Sequence, residues 1–376
     1  MFLRYVYLLL FLFCLRSGLV FTLPLKTYPY FILPKSSGLS QAVTATADSQ
    51  TALYYNPAGL RNSKSSSYEV INPYLVYSDG ALTVDKKFIN LRSLAYDLPN
   101  SIDDLNTFEK QLQELSGESY HAELALSPYY TCPSFGIGLM VHSQLDFNVN
   151  NLTPDLAHFY IPNDIEIRGA YAFTFFDDRL YLGLGSHLRL RLLFEKELSI
   201  YEVNNFTRDQ VLKSVTQGLG LGFDFGMIVK PFKNFLNPKI GFSILNLGKT
   251  RFHALPFLSK HFSNSPPSPL LESINMGFAI SPEFGLFFSN LALDFRNINF
   301  QESFNKKLHL GLEIGLKKSF VSLSLLTGYS QGGFSYGMDL DLILLKIRIS
   351  SYMAEDELSL NQKSQRRLMV GVNFLL

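Results

Sequence analysis

Tryptophan is absent from this 376-residue chain, and cysteine occurs only twice. Cys14 sits inside an N-terminal apolar run, so removal of that run leaves Cys132 alone. A single thiol forms no internal disulfide and no thiolate metal cluster. The seven histidines are scattered, and none falls in an H-E-x-x-H pattern. No G-x-S-x-G nucleophile elbow occurs. The glycine run Gly218–Gly226 alternates with apolar residues, which suits a strand rather than a dinucleotide loop. Neither an enzyme, a cofactor nor a metal is therefore expected. Charge is scarce too. Only 17% of residues are charged and the formal net charge is +1, so the composition offers nothing to nucleic acid.

Aromatic residues are plentiful. The 33 phenylalanines and 20 tyrosines suit the two interfacial girdles of a membrane β-barrel. Residues 1–22 read as a signal peptide. Arg4 supplies the positive start, Tyr5–Leu15 is an apolar core too short for a comfortable membrane span, and Arg16 closes it. Taking Arg4 and Arg16 from the 33 bases leaves 31 against 32 acids, a mature charge of −1. An exported chain without disulfides is compatible with a barrel, which closes on its own hydrogen bonds.

Strand signals then repeat to the end of the chain. In Lys307–Lys317 one face carries Leu308, Leu310, Leu312, Ile314 and Leu316, and the other His309, Gly311, Glu313 and Gly315. That is period-two alternation over the length a tilted strand needs to cross a bilayer, about 9–11 residues. Gln217–Met227 and Leu180–Phe194 repeat the pattern, with Asp224 on the minor face of the first and His187, Arg189 and Arg191 on that of the second. An arginine facing lipid near the midplane costs roughly 2–4 kcal/mol. The leucine faces must therefore point outward. Arg189, Arg191, Asp224, Asp294, Arg296 and Glu313 are assigned to the lumen, beside glycines expected to leave space there.

The other candidate strands are 67–78, 80–91, 119–129, 132–147, 164–176, 237–248, 271–282, 285–297, 319–330, 333–343, 345–353 and 365–376. With the three above they make fifteen, whereas a bacterial single-chain barrel has an even number. The weakest are 80–91 and the division of 333–353, so fourteen is the expected count. Tight turns fall at 176–178, 281–283 and 317–319, and long loops at 148–163, 196–215, 249–270 and 354–364. This is the asymmetry of periplasmic turns and extracellular loops. Residues 101–117 read as a helix, capped by Ser101 with Asp103 and Asp104 in its first turn.

Ahead of the strands lies Ala42–Arg61, A-V-T-A-T-A-D-S-Q-T-A-L-Y-Y-N-P-A-G-L-R. Pro57 fixes its own φ and pushes Asn56 out of the helical region, Gly59 permits a left-handed turn, and Asn56 can hydrogen-bond the backbone two residues on. The run resembles the N-terminal hatch of FadL-type outer-membrane barrels, which include PorV-like and TraF-like relatives. Their A-x-A-D-D-x-x-A-x-x-x-N-P-A-G-L pattern is matched at Ala45, Ala47, Asp48, Ala52, Asn56, Pro57, Ala58, Gly59 and Leu60, with Ser49 in place of the second acid. The strands at 217–226, 240–248, 308–313 and 328–333 are similar to PorV-like members. The C-terminal G-V-N-F-L-L resembles the barrel-assembly signal, though it ends in Leu rather than an aromatic.

The resemblance implies an all-β transmembrane antiparallel barrel of about 14 strands in the bacterial outer membrane. Its parts would be a signal peptide at 1–22, a hatch at 23–62 inside the lumen, and a barrel at 63–376 with the 101–117 insertion. Expected partners are membrane lipid, a hydrophobic small molecule, and the barrel-assembly machinery through residues 367–376. The implied function is passive uptake of hydrophobic, long-chain fatty acid-like compounds, with Asp48, Asn56, Pro57, Ala58 and Gly59 in the gate. The alternative is a non-transporting accessory barrel, PorV-like or TraF-like, that supports secretion or conjugation by holding other envelope proteins. Polar, glycine-rich walls would favour the second, since they give a fatty ligand little to bind.

Overall fold

The computed structural model describes residues 31–78, 119–149, 156–199, 208–232, 234–318, 321–342, 344–355 and 364–374. The signal peptide, the 80–91 strand and the 101–117 helix lie outside the described residues. Fourteen antiparallel strands form the wall. They are β1 (Pro73–Ser78), β2 (Ser119–Leu126), β3 (Phe135–Val149), β4 (Leu156–Phe175), β5 (Leu180–Ser199), β6 (Thr216–Val229) and β7 (Lys239–Leu245). The second half is β8 (Ser273–Ile280), β9 (Phe287–Phe295), β10 (Leu308–Lys318), β11 (Val321–Ser330), β12 (Gly333–Asp341), β13 (Leu345–Glu355) and β14 (Ser364–Phe374). Four short strands at Ser67–Glu69, Tyr129–Thr131, Phe252–His253 and Glu283–Phe284 brace this wall. The sheet closes where β14 pairs with β1, from Arg367↔Ser78 to Gly371↔Tyr74. Closure leaves no edge with unpaired backbone groups, the condition for a sheet to stand in lipid.

Two loop expectations are corrected. The 148–163 segment is not a loop throughout, because β4 starts at Leu156 and pairs with β5 along its whole length. Within 196–215, β5 runs to Ser199 and a helix, α3, spans Arg208–Ser214. Charged residues in these stretches hid strands that continue past the apolar band. Nor is the proline-bearing 249–270 loop free of the wall. Phe252–His253 pairs with β6 at Gly220 and Leu219, and Thr250 bridges Leu270.

The faces divide as the alternation requires. Ile167, Leu184, Leu188, Leu221, Ile314 and Leu325 are exposed on the outside, while His187, Arg189, Asp224 and Glu313 are buried inside. At the turn end, Phe175, Phe176, Phe235, Phe284 and Phe287 stand exposed as an aromatic girdle. Eight strands make a barrel that side chains alone can fill, so fourteen enclose room for more. That room holds residues 31–66. They form helix α1 (Pro34–Gly38), helix α2 (Ser49–Tyr55) and a 3-10 helix (Pro57–Asn62). Leu33, Leu53 and Leu60 of this plug are fully buried, each worth roughly 1.5–3 kcal/mol in burial.

Candidate functional site

The plug is built to come close to the wall. Ala42, Ala45, Ala47, Ala52 and Ala58 are all fully buried. Their lack of side chain lets the backbone lie against the strands, and the wall answers with glycines. A Cβ on Gly183 would collide with the Ala58 amide, and one on Gly226 with the Asn56 side chain. On Gly241 it would come within 2.6 Å of Thr44 and Ala45. These inward glycines do not leave an open lumen, as the sequence suggested; they are the surface on which the hatch rests.

The hatch turn is self-capped. The Ala58 amide donates to Asn56 Oδ1 at 3.2 Å, and the Gly59 amide to the Asn56 carbonyl at 2.8 Å. Pro57 opens the 3-10 helix, where its missing N–H costs nothing. Gly59 is required by crowding rather than by a left-handed turn. A Cβ there would sit 2.5 Å from the Ala47 carbonyl oxygen. Asp48 caps α2: its amide donates to Thr51 Oγ1 at 2.9 Å, and that hydroxyl donates to the Asp48 carbonyl at 2.7 Å. Its carboxylate lies 3.5 Å from Lys35, which also meets wall residue Glu313 at 3.4 Å.

A plug in lipid-enclosed space must satisfy its backbone from the wall. Asp294 on β9 accepts from the Thr44 amide at 2.7 Å. Arg168 on β4 donates to the Leu53 carbonyl at 3.0 Å, and His309 on β10 to the Ser40 carbonyl at 2.6 Å. Arg296 reaches the Gln41 side chain. Ser37 pairs with Ser350 on β13 at 2.6 Å, and Gln50 donates to the Ser127 carbonyl at 3.0 Å. Arg189, Arg191 and Asp224, assigned to the lumen, are engaged with the wall. Arg189 contacts Glu166 at 2.5 Å, Arg191 grips Asp164 at 2.8 and 2.7 Å, and Asp224 accepts from Arg168 at 2.8 Å. Arg189 meets the hatch at the Phe31 ring, 4.4 Å from its centroid.

Beside Phe31 a small polar chamber opens, its rim set by β2–β5 and β14. It is lined by His121, Glu123, His142, Arg189, Arg191 and Arg367, among others. Within it Glu123 stands between His121 at 3.6 Å and His142 at 3.3 Å, and His121 pairs with Asp146 at 2.6 Å. Lys35, His121 and His142 were not singled out from sequence. The histidines do fall on the inward register of β2 and β3, the one signal that marks them.

Comparison with solved structures places this architecture. The chain matches the "TodX monoaromatic hydrocarbon channel deltaS2 mutant" with a TM-score of 0.52 at 11% identity, over 92% of this chain and 99% of that one. It is also similar to a FadL homologue of Pseudomonas aeruginosa, at TM-score 0.48 and 12% identity, over 93% and 97% of the two chains. For the toluene transporter TbuX of Ralstonia pickettii the values are 0.48 and 10%, over 93% and 98%. No family model and no curated protein matches the sequence. The shared feature is the fold, and it agrees with the FadL-type resemblance of residues 42–61.

Proposed function

We propose that this protein is a bacterial outer-membrane barrel for passive uptake of hydrophobic compounds, long-chain fatty acid-like amphiphiles among them, gated by its N-terminal hatch. The observation that carries the reading is a buried plug filling the lumen of a closed, lipid-facing barrel. A wide barrel that served only as a membrane anchor would need no such plug. The solved structure that shares the fold is described as a monoaromatic hydrocarbon channel, which supports a hydrophobic cargo. Gating belongs to the segment where Asn56, Pro57 and Ala58 lie against Gly183 and Gly226 with no room for a Cβ between them, so that a small shift there opens a hatch–wall contact. The membrane lipid is the solvent of the outer face, and β14 carries the assembly signal.

One observation favours the accessory-barrel reading instead. The hatch is hydrogen-bonded to strands all round the wall, and the charged residues above it give an alkyl chain little to contact. Reconstitution into liposomes decides between the two. Uptake of toluene or dodecanoate above that of protein-free vesicles supports transport. No uptake, with other envelope proteins co-extracted in a stable complex, assigns the accessory role.

A further inference from the structure

Arg168, His187, Asp224, Asn246 and Thr250 are all buried, and they join the hatch to the root of the 249–270 loop. They come from β4, β5, β6, the turn after β7 and the loop itself. The join begins at the C-terminal end of α2, where the last carbonyls lack helical partners and favour a cation. Arg168 Nη1 donates to the Leu53 carbonyl at 3.0 Å, and the guanidinium lies over the Tyr54 ring, 4.8 Å from its centroid. The same nitrogen donates to Asp224 Oδ2 at 2.8 Å, while Nε is taken by Glu166. Asp224 therefore sets the end of the fork that reaches Leu53. Asp224 is itself set by the loop root. It accepts from the Asn246 amide at 2.8 Å and from His187 Nδ1 at 3.3 Å. His187 Nε2 lies 3.3 Å from Thr250 Oγ1, and that hydroxyl donates to Asn246 Oδ1 at 3.0 Å. Thr250 also bridges Leu270, so the two limbs of the loop meet at this point. A Cβ on Gly222 would fall on both Thr250 Oγ1 and His187 Nε2. Glycine at 222 is what lets the hydroxyl and the imidazole approach.

We propose that the 249–270 loop positions the gating end of the hatch through Thr250, His187, Asp224 and Arg168, so that movement of the loop unseats Leu53 and the Asn56–Ala58 turn behind it. The coupling goes beyond the uptake reading, and only its consequence for passage rests on that reading. A buried polar network has few ways to relax, because each lost member leaves another unpaired. Without the Thr250 hydroxyl, His187 and Asn246 lose their common partner. Asp224 loses its fixed side, Arg168 falls back on Glu166, and the Leu53 carbonyl is left open. The other limb of the hatch is tied elsewhere. Ser37 bonds Ser350 on β13 and Ser40 bonds Ser335 on β12, about half the strand order away from β5. The loop therefore addresses α2 and leaves α1 in place.

The test is amide hydrogen exchange, followed by mass spectrometry, on the full-length protein in a neutral detergent. Thr250→Val keeps the shape of the side chain and removes the hydroxyl. It should speed exchange of hatch peptides covering 52–60 by at least about threefold and leave those covering 35–44 unchanged. Thr250→Ser keeps the hydroxyl and should exchange as wild type. Gly222→Ala breaks the same contact from the wall and should resemble Thr250→Val. Arg168→Gln should speed exchange at 52–60 on its own, and adding Thr250→Val to it should change nothing further. Heat-modifiability on gels reports the folding of each variant. Wild-type exchange at 52–60 in folded Thr250→Val, or the same increment from Thr250→Val with and without Arg168, overturns the proposal. An equal rise at 35–44 also overturns it, since that would be general loosening. Toluene uptake in liposomes is measured alongside. If exchange at 52–60 rises and uptake does not, the coupling stands and gating by the hatch falls. If uptake by wild type is absent, the uptake reading falls and the exchange data still decide the coupling.

Discussion

The side-chain amide of Asn56 donates to the Thr44 carbonyl at 2.7 Å, tying two limbs of the hatch that lie 12 residues apart in sequence. The same nitrogen reaches the Met227 carbonyl on β6 at 3.3 Å, so one amide clasps the hatch to itself and to the wall. Asn56→Asp removes both donations and sets a carboxylate against two carbonyl oxygens in a fully buried site. It should cost more than Asn56→Ala, which at about 1–3 kcal/mol only leaves the partners unsatisfied. The midpoint of heat modification on gels orders the two. An Asp variant as stable as wild type would mean the amide is not the clasp.

Gly183 and Gly169 give a matched pair. A Cβ on Gly183 meets the Ala58 amide, whereas on Gly169 the nearest atom is 3.9 Å away. Gly183→Ala should displace the Pro57–Ala58 segment and raise the uptake of a hydrophobic probe by folded barrels. Gly169→Ala should do neither. Equal uptake by the two variants would count against a gate at this contact.

Pro57→Gly tests the same segment from the hatch side. Proline holds φ at the start of the 3-10 helix, and glycine releases it, at a cost of roughly 0.4–1 kcal/mol through the unfolded chain alone. The barrel should fold and leak hydrophobic probe faster than wild type. Unchanged leakage in the folded variant would argue that the hatch is a fixed core.

The wall was legible in the sequence because lipid outside and polar groups inside force a period of two along strand after strand. Leu184 and Leu188 on one face and His187 and Arg189 on the other place β5 without further help. The hatch was legible as a motif, through Asn56, Pro57 and Gly59. What the sequence did not carry is which wall atom meets which hatch atom. Asp294 and Arg189 look alike along the chain, yet Asp294 holds the Thr44 amide and Arg189 turns to Glu166. That choice depends on the height of each residue in the barrel, which follows from shear and closure. Likewise Gly241 reads as a strand residue with room beside it until Ala45 is seen lying on it. Strand ends beyond the membrane, as in β4 and β5, lose the apolar face that marks them.

Leu184 lies on the outer face, more than half exposed at 56%. Within the apolar band, Leu184→Arg should destabilise the barrel by roughly 2–4 kcal/mol and Leu184→Phe by little. Denaturant titration of refolded protein in vesicles gives both numbers. An arginine tolerated there at no cost would place this face away from hydrocarbon.

Glu69 is fully buried just before β1, and it joins the two ends of the barrel. Its carboxylate accepts from Tyr129 at 3.0 Å on one side of the closing seam. From the other side it accepts from Arg348 at 3.0 and 3.2 Å, Lys346 at 3.3 Å and Asn373 at 2.5 Å. Among the described residues, the backbone ladder between β1 and β14 runs from Ser78 to Tyr74, and the Ile71↔Phe374 bridge extends it. The side-chain bonds of Glu69 add to this closure. Breaking a buried ion pair by removing one partner costs about 3–5 kcal/mol, because the other charge is stranded, whereas replacing both with apolar groups of similar size is often near neutral. Glu69→Gln strands Arg348, whose next carboxylate, Asp339, is 3.7 Å away, and leaves Lys346 with Asp341 at 3.6 Å. The single variant should therefore lose more stability than Glu69→Met combined with Arg348→Met, even though the double variant removes more hydrogen bonds. Unfolding titrations of the wild type, both single variants and the pair complete the cycle. A double variant as unstable as the sum of the singles would show that Glu69 and Arg348 act independently, and would leave closure to the backbone ladder.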